Sequence, residues 1–310
     1  MAETVARAVD LRLMGLRRFA IAITVLNILG HFWFGFEQSW AQLFVALTTA
    51  YSAELLLETV EALAAKRQPK FLAGPRAFVD FLLPAHITGL AVGMLLYAND
   101  RLAVLAFASA VAIGFKALVS RPGSGGKRHI MNPSNFGITV TLLSFSWVGI
   151  APPYHFTENL NGTMRWVLPL IIIASGSFLN IKLTKRAPLI ISWLTTFFLQ
   201  ALIRHLVTDC SLVGALRPMT GVAFVLFTFY MVTDPGTTPQ SKAGQIAFVA
   251  SVAGAYAVLI SLHIVFGLFF ALTIVCALRG LLTFAFLRAS LPISVPEKSV
   301  NVYVLQDQRI

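Results

Sequence analysis

The sequence predicts an all-α integral membrane protein with about ten transmembrane helices. Hydrophobic residues make up 57% of its 310 residues and charged residues only 12%, which is about half the charged fraction of a typical soluble domain. Several apolar segments also reach the roughly 20 residues that a helix needs to cross a bilayer. These observations predict a multi-pass protein of the plasma membrane, with the lipid bilayer as its main surroundings.

The predicted spans follow one another along the chain and are separated by short loops rich in Gly, Pro and charged residues. We expect one transmembrane domain, residues 19–288, between a cytoplasmic N-terminal segment, 1–18, and a cytoplasmic tail, 289–310. The ten candidate spans are residues 19–36, 40–62, 77–98, 102–119, 135–149, 164–181, 187–203, 214–232, 243–263 and 265–287.

The distribution of basic residues predicts the orientation. Most of the 24 Lys and Arg residues lie in alternate loops and in the two terminal segments. Basic residues accumulate on the cytoplasmic side of membrane proteins, so both termini should be cytoplasmic. Because these residues are scattered rather than gathered in one patch, the net charge of +11 does not indicate a nucleic-acid partner.

A weak internal similarity suggests two repeats. The segment PAHITGLA, which begins at Pro84, resembles PMTGVA, which begins at Pro218. Five spans in each repeat would place the second, about 160–288, upside down relative to the first, about 19–150, as in many transport proteins. The two prolines should interrupt the third and eighth spans.

Two polar corners are candidate ligand sites. The segment SRPGSGGKRHIMNPSNFG, residues 120–137, leads to Asn132 and Pro133, which are typical of a helix N-terminus. The free amides at that end would favour an anionic group, although a capped helix with flanking basic residues is the simpler interpretation.

The second corner is VTDPGTTPQS, residues 232–241. Thr233 and Asp234 can accept hydrogen bonds in a tight turn that starts at Pro235, and Ser241 can cap the next helix. The segment has more hydrogen-bonding groups than a turn needs. This excess indicates a segment that lines a cavity or holds a polar ligand.

Ionisable residues within apolar spans are costly and are therefore functional candidates. A salt-bridged structural cluster is the alternative for the charged ones, and a hydrogen bond between helices is the alternative for the histidine. As candidates for a transport or proton path the sequence offers His86, Glu54, Glu58, Asp80 and Arg279.

Other chemistry is not indicated. The sequence has no HExxH, GxSxG, P-loop or GxGxxG motif, which argues against common hydrolase, metalloprotease and nucleotide-binding classes. Cys210 and Cys276 lie far apart in apolar surroundings and do not have the spacing of a metal site, so we expect no bound metal.

With these motifs established, NPSNFGI and FTFYMVTDPGTTPQS resemble the signature segments of a membrane family. That family comprises the RnfD proteins of Rnf electron-transport complexes and the NqrB proteins of the sodium-translocating NADH:quinone reductase. Longer stretches, such as FVDFLLPAHITGLAVGMLLYANDRL and GIAPPYHFTENLNG, resemble the UnbU-type membrane proteins encoded in actinomycete gene clusters for enediyne antibiotics.

The resemblance implies a flavin, riboflavin or FMN, bound without a covalent bond. Covalent FMN is not expected, because the Ser-Gly-Ala-Thr motif that carries it in the family is absent from this sequence. The residues of the retained motifs that would hold the flavin are Asn132, Pro133, Asn135, Thr233, Asp234 and Pro235.

The resemblance therefore implies a redox protein of enediyne biosynthesis that transfers electrons in the membrane. It would work with redox partner proteins of a membrane complex or with soluble pathway enzymes. The alternative is a transporter or permease for a pathway product, intermediate or ion, because paired inverted repeats are typical of such folds. A scaffold that recruits soluble enzymes is a third hypothesis.

Overall fold

The computed structural model describes residues 2–123, 126–152 and 156–289, so the tail beyond residue 289 lies outside the described residues. Within these ranges the chain is almost entirely helical, as predicted. The α-helices α1 to α11 are Ala2–Leu29, Trp40–Ala64, Pro75–Leu95, Leu102–Leu118, Pro133–Ser144, Met164–Phe178, Ala187–Thr208, Leu212–Leu216, Val222–Leu226, Lys242–Ser261 and Gly267–Ala289.

Short elements complete the part of the chain that the structure describes. Three π-helical turns, Gly30–Phe34, Leu179–Leu183 and Phe227–Met231, continue α1, α6 and α9. Two 3-10 turns lie at Lys70–Leu72 and Arg217–Thr220. Four short strands form two antiparallel pairs: β1 (Leu96–Tyr97) with β4 (Gly149–Ile150), and β2 (Ser120–Gly123) with β3 (Gly126–His129).

Seven helices among the described residues are long and apolar enough to cross a membrane, and the bent pair Leu212–Thr220 and Val222–Met231 would make an eighth. The other two predicted spans correspond to α4, with 17 residues, and α5, with 12. At about 1.5 Å per residue, α5 covers only about 18 Å, less than the hydrocarbon core. The chain is thus a multi-pass membrane protein, and the count of ten stays a prediction.

Local capping sets where several helices begin. Asn132 caps α5 as predicted: its side-chain oxygen accepts from the Asn135 amide at 3.1 Å, and Pro133 takes the first helical position. Ser241 caps α10 in the same way. The first helix differs from the prediction, since α1 starts at Ala2 rather than near residue 19. No proline precedes the span, and the helix continues through Gly15.

The two prolines behave differently. Pro84 was expected to interrupt its span, but α3 continues through it from Pro75 to Leu95. Pro218 does accompany a break: it lies in the 3-10 turn Arg217–Thr220, and the helices on either side bend by 66°. The prediction for Pro84 was wrong because tertiary packing can hold a helix together despite one missing amide donor.

The same helix pairs pack in both halves of the chain. In the first half α1 packs on α3, α2 on α4, and α4 on α5. In the second half α6 packs on α9, α7 on α10, and α10 on α11. Two related five-span halves would give this correspondence. The inverted orientation of the repeats stays a prediction.

The loops gather at two ends. At one end, called the Asp234 end, the β2–β3 hairpin meets loop 232–241 through a 2.7 Å contact between His129 and Asp234. At the other end, called the Tyr97 end, β1 pairs with β4 and joins the segments that follow α3 and α5. The excess of basic residues predicts that the Asp234 end is cytoplasmic.

Candidate functional site

A cavity of about 980 Å³ lies between the two halves of the molecule. Helices α1 and α3 form one side, and α6 with the turn Phe227–Met231 forms the other. Its wall is mostly apolar, with side chains such as Phe19, Ile23 and Leu168. The described Asp, Glu, Lys, Arg and His residues that line it lie at the Asp234 end. The size and the lining of this cavity are those of a small-molecule site.

Loop 232–241 forms part of the polar end of this cavity. The Asp234 carboxylate accepts from the Gly236 amide at 3.0 Å, from the Thr237 hydroxyl at 3.2 Å and from the His129 ring at 2.7 Å. The Asp234 carbonyl also accepts from the hydroxyl of Thr238 at 2.8 Å. One acid therefore organises both the turn and its contact with the β2–β3 hairpin.

Three arginines donate hydrogen bonds to backbone carbonyls of the same loop. Arg128 donates to the Pro235 carbonyl, Arg279 to the Thr237 carbonyl, and Arg186 to the Pro239 carbonyl. We call these three residues the arginine clamp. The clamp joins the β2–β3 hairpin, α11 and the start of α7 to one loop. The many hydrogen-bonding groups of this loop therefore serve largely to fix its own backbone.

Burial and neighbouring charges shift two pKa values here. Burial raises the pKa of the Asp234 carboxyl, but attraction to His129 and the hydrogen bonds from His129, Gly236 and Thr237 outweigh it, so that pKa lies below its ordinary value. Burial lowers the pKa of Arg186 to about 10, and the charges of Arg128 and Arg279 act in the same direction.

The start of α5 lies at the same cavity end. Asn132, Pro133 and Ser134 line the cavity, and the Ser134 hydroxyl donates to the Asn132 side-chain oxygen at 2.8 Å. Asn135 does not line it: its side-chain amide donates to the Phe269 carbonyl at 3.1 Å and ties α5 to α11. The predicted flavin residues that the structure brings together are Asn132, Pro133, Thr233, Asp234 and Pro235.

Two predicted acids also face this cavity. Glu54 pairs with Lys116 at 2.7 Å, and Glu58 pairs with Lys70 at 3.0 Å and with Arg67. Glu54 is therefore neutralised by one cation and Glu58 by two, as the structural alternative predicted. Both pairs also border the cavity, so they contribute to its polar end.

The remaining predicted residues lie away from the cavity wall. His86 bridges helices: its ring contacts the Thr24 hydroxyl at 2.7 Å and the Tyr51 hydroxyl at 2.6 Å. Asp80 forms a two-pronged ion pair with Arg17, at 2.8 and 2.6 Å. His86 thus makes the helix-to-helix hydrogen bond that was the alternative to a proton path, and Arg279 belongs to the arginine clamp.

Sequence reasoning missed Arg186 and His129 as site residues. Arg186 was counted only among the basic residues of a cytoplasmic loop, and His129 was part of the segment 120–137 without a role of its own. The one available signal for His129 was its place three residues before Asn132. Among the described residues, no group of three or more His, Cys, Asp or Glu residues is placed so that it could hold a metal ion.

Comparison with known proteins gives a match to a family model. Residues 150–284 match the model of the NQR2, RnfD, RnfE family, and no curated protein matches the chain. The matched range includes Arg186, loop 232–241 and Arg279, but it does not include Asn132. Over this second half, from β4 to most of α11, the chain is therefore similar to the NQR2, RnfD, RnfE family.

Proposed function

We propose that this chain is a membrane redox protein that binds a flavin without a covalent bond in the cavity between its halves. The observation that carries the proposal is that the Asn132–Pro133 and Thr233–Pro235 segments line the same polar end of one large apolar cavity. The family similarity supports a role in membrane electron transfer. A place in enediyne biosynthesis is proposed from the sequence resemblance alone.

The residues present fit a flavin. Its ring system is planar, with apolar faces and a polar edge, and it needs an apolar slot with hydrogen-bonding groups at one end. Phe19 and Tyr230 stack with ring centres 4.8 Å apart in the cavity wall and provide an aromatic surface. Arg186 lines the cavity, and its buried Nε group has no acceptor among the described residues.

A bound flavin would supply one-electron or hydride chemistry, while the protein supplies binding and electrostatics. Arg186 and the amide end of α5 favour negative charge at the polar edge. The Asn132 side chain keeps its amide hydrogens for a ligand, since its oxygen is used as the helix cap. Asp234 acts as a positioning residue that holds the loop and His129 in place.

The test is to purify the full chain in detergent and to measure flavin by absorbance and after release by denaturation. We expect about one noncovalent flavin per chain. Asn132→Asp should lower flavin affinity about tenfold, because Asp retains the cap but removes the amide donor and adds a negative charge. Asn161→Asp, at an exposed position of the Tyr97 end, is the matched control.

Absence of flavin from protein made in flavin-replete cells would contradict the proposal. Full flavin content in the Asn132→Asp variant would contradict the placement of the site. Equal losses in both variants would show that the effect is not local to α5.

A transporter is the second candidate, and one observation favours it. The cavity extends from the Asp234 end to Ile150, Leu160 and Met164 near the Tyr97 end, as a path between the halves would. Glu54 and Glu58 would then border the path. Uptake of a pathway product into liposomes by flavin-free protein would favour transport over electron transfer, and flavin-dependent reduction of an acceptor without uptake would favour the redox function.

A further inference from the structure

Arg186 is a buried cation without a matching anion. Its side chain lines the cavity, and the residue is only 1% exposed. One nitrogen donates to the Pro239 carbonyl, but Nε is buried and has no acceptor among the described residues. None of the described carboxylates lies within the 4 Å of a salt bridge to this guanidinium.

The surroundings compensate this charge only in part. Arg128 and Arg279 both act against the charged form of Arg186, and Asp234 is the carboxylate that favours it. Asp234 is already engaged by His129, Gly236 and Thr237. A buried charge is strongly unfavourable unless it is paired and hydrogen-bonded. Because its pKa remains near 10, Arg186 stays charged at neutral pH.

A second feature at this end of the cavity also favours an anion. Helix α5 has 12 residues and begins at Pro133, which lines the cavity beside Asn132 and Ser134. The amide end of a helix of this length attracts negative groups, and phosphates in particular. A guanidinium is the side chain best matched to phosphate, because its planar fork forms two parallel hydrogen bonds.

The rest of the cavity requires an apolar ligand body. Away from the Asp234 end, its wall consists largely of aliphatic and aromatic side chains, among them Leu26, Ile87, Leu168 and Phe227. A small inorganic anion would leave this space unfilled. The cavity is thus complementary to a molecule with an anionic group at one end and an apolar remainder.

We propose that Arg186 binds the oxyanion of an amphiphilic organic phosphate whose apolar body lies along the cavity. Two kinds of membrane-accessible molecule carry this chemistry: a flavin with a phosphate ester and a phospholipid. For the flavin, the inference rests on the proposed function and selects FMN over riboflavin. For the phospholipid, it stands without that function.

The test compares ligands that differ only in phosphate. The full chain, in a non-ionic detergent without phosphate, is titrated with FMN and riboflavin, and with short-chain phosphatidylglycerol and the corresponding diacylglycerol. We expect the phosphorylated member of at least one pair to bind about tenfold to hundredfold more tightly, the range for hydrogen bonds to charged groups.

Variants of Arg186 test whether this residue causes the tighter binding of the phosphorylated ligand. Arg186→Gln should abolish it, and Arg186→Lys should retain part of it, because the charge remains while the fork is lost. Arg101→Gln is the control, since Arg101 is exposed and precedes α4 at the Tyr97 end. The ratio of the affinities for the phosphorylated and the unphosphorylated ligand is measured within each variant, so it does not depend on the yield of folded protein. If Arg186→Gln does not fold, Arg186→Lys is measured in its place.

The outcomes separate the two proposals. A preference for phosphatidylglycerol without any flavin binding would support this inference and contradict the flavin function. Equal binding within both pairs would overturn the inference, even if both flavins bind tightly. A preference that persists in Arg186→Gln would also overturn it.

Discussion

At the scale of single residues, Asp234 both stabilises its own turn and holds that turn against the β2–β3 hairpin. Its carboxylate accepts from the Gly236 amide within the turn and from His129 of the β2–β3 hairpin. Its side chain is only 16% exposed, so the loss of these hydrogen bonds would leave buried donors without partners. Such losses cost more than the bonds themselves contribute.

Asp234→Asn should lower the free energy of unfolding by about 1.5–3 kcal/mol near neutral pH, because hydrogen bonds to a charged acceptor are lost. The folded pKa of Asp234 lies below its ordinary value, so this stability is present above about pH 4 and is lost as the pH falls through the folded pKa. The melting temperatures of the wild type and the variant, measured against pH in detergent, should therefore converge at acidic pH.

Asp100→Asn serves as the control for this experiment. The Asp100 side chain is 91% exposed and lies 3.6 Å from Arg101 at the Tyr97 end. Exposed pairs of this kind contribute about 0–1 kcal/mol. A constant difference between the wild type and Asp234→Asn from neutral to acidic pH would contradict the role assigned to the Asp234 carboxylate.

At the scale of elements, α5 is short but closely packed. Gly137 of α5 lies against α4, where an added Cβ would stand 2.4 Å from the Ala108 carbonyl oxygen and 2.8 Å from the Ala112 Cβ. Small residues allow membrane helices to approach in this way. The position of the α5 N-terminus at the cavity therefore depends on the packing of this helix against α4 as well as on its cap.

Gly137→Ala should destabilise the protein by about 1–3 kcal/mol, since the added methyl group must displace the α4 backbone. Gly114→Ala, in α4 itself, is the matched control, because an added Cβ there meets no atom within 4 Å. The control should be neutral or more stable by up to about 1 kcal/mol. Thermal unfolding in detergent measures both, and equal melting temperatures would contradict the close α4–α5 contact.

At the scale of the whole molecule, alternate loops meet at the same end. The segments after α3 and α5 pair as β1 and β4, and the hairpin between α4 and α5 contacts the loop before α10. These contacts are those of a chain that reverses direction with each helical segment. These contacts do not decide which end faces the cytoplasm, so the prediction of the orientation rests on the distribution of basic residues.

Cysteine labelling tests the orientation. In a chain with Cys210→Ala and Cys276→Ala, we expect Asn161→Cys to react with a membrane-impermeant maleimide in intact cells. Gln68→Cys, beside Arg67 and Lys70, should react only after lysis. Asn161 is exposed and Gln68 lies in an open loop position between α2 and α3, so access to the reagent depends on the side of the membrane. The opposite pattern would show that the charge bias had been misinterpreted.

The features that could be predicted from the sequence are those that depend on residues close together in the chain. Apolar segment length predicted the helical membrane class, and Asn132 with Pro133 predicted the start of α5 because capping involves residues three positions apart. The sequence could not choose between alternatives that depend on distant partners. His86 had two open interpretations until Thr24 and Tyr51 were found beside it, and Arg186 had no sequence signal for its contact with Pro239.

By itself, the sequence determined that the chain spans a membrane many times and that two polar corners interrupt its apolar segments. Only the tertiary structure decided that these corners line one cavity, that the arginine clamp holds the second corner, and that Pro84 leaves α3 unbroken. The physical reason is range. Hydrophobic length and helix caps act within a few residues, whereas a cavity wall and a buried guanidinium depend on side chains brought together from both halves of the chain.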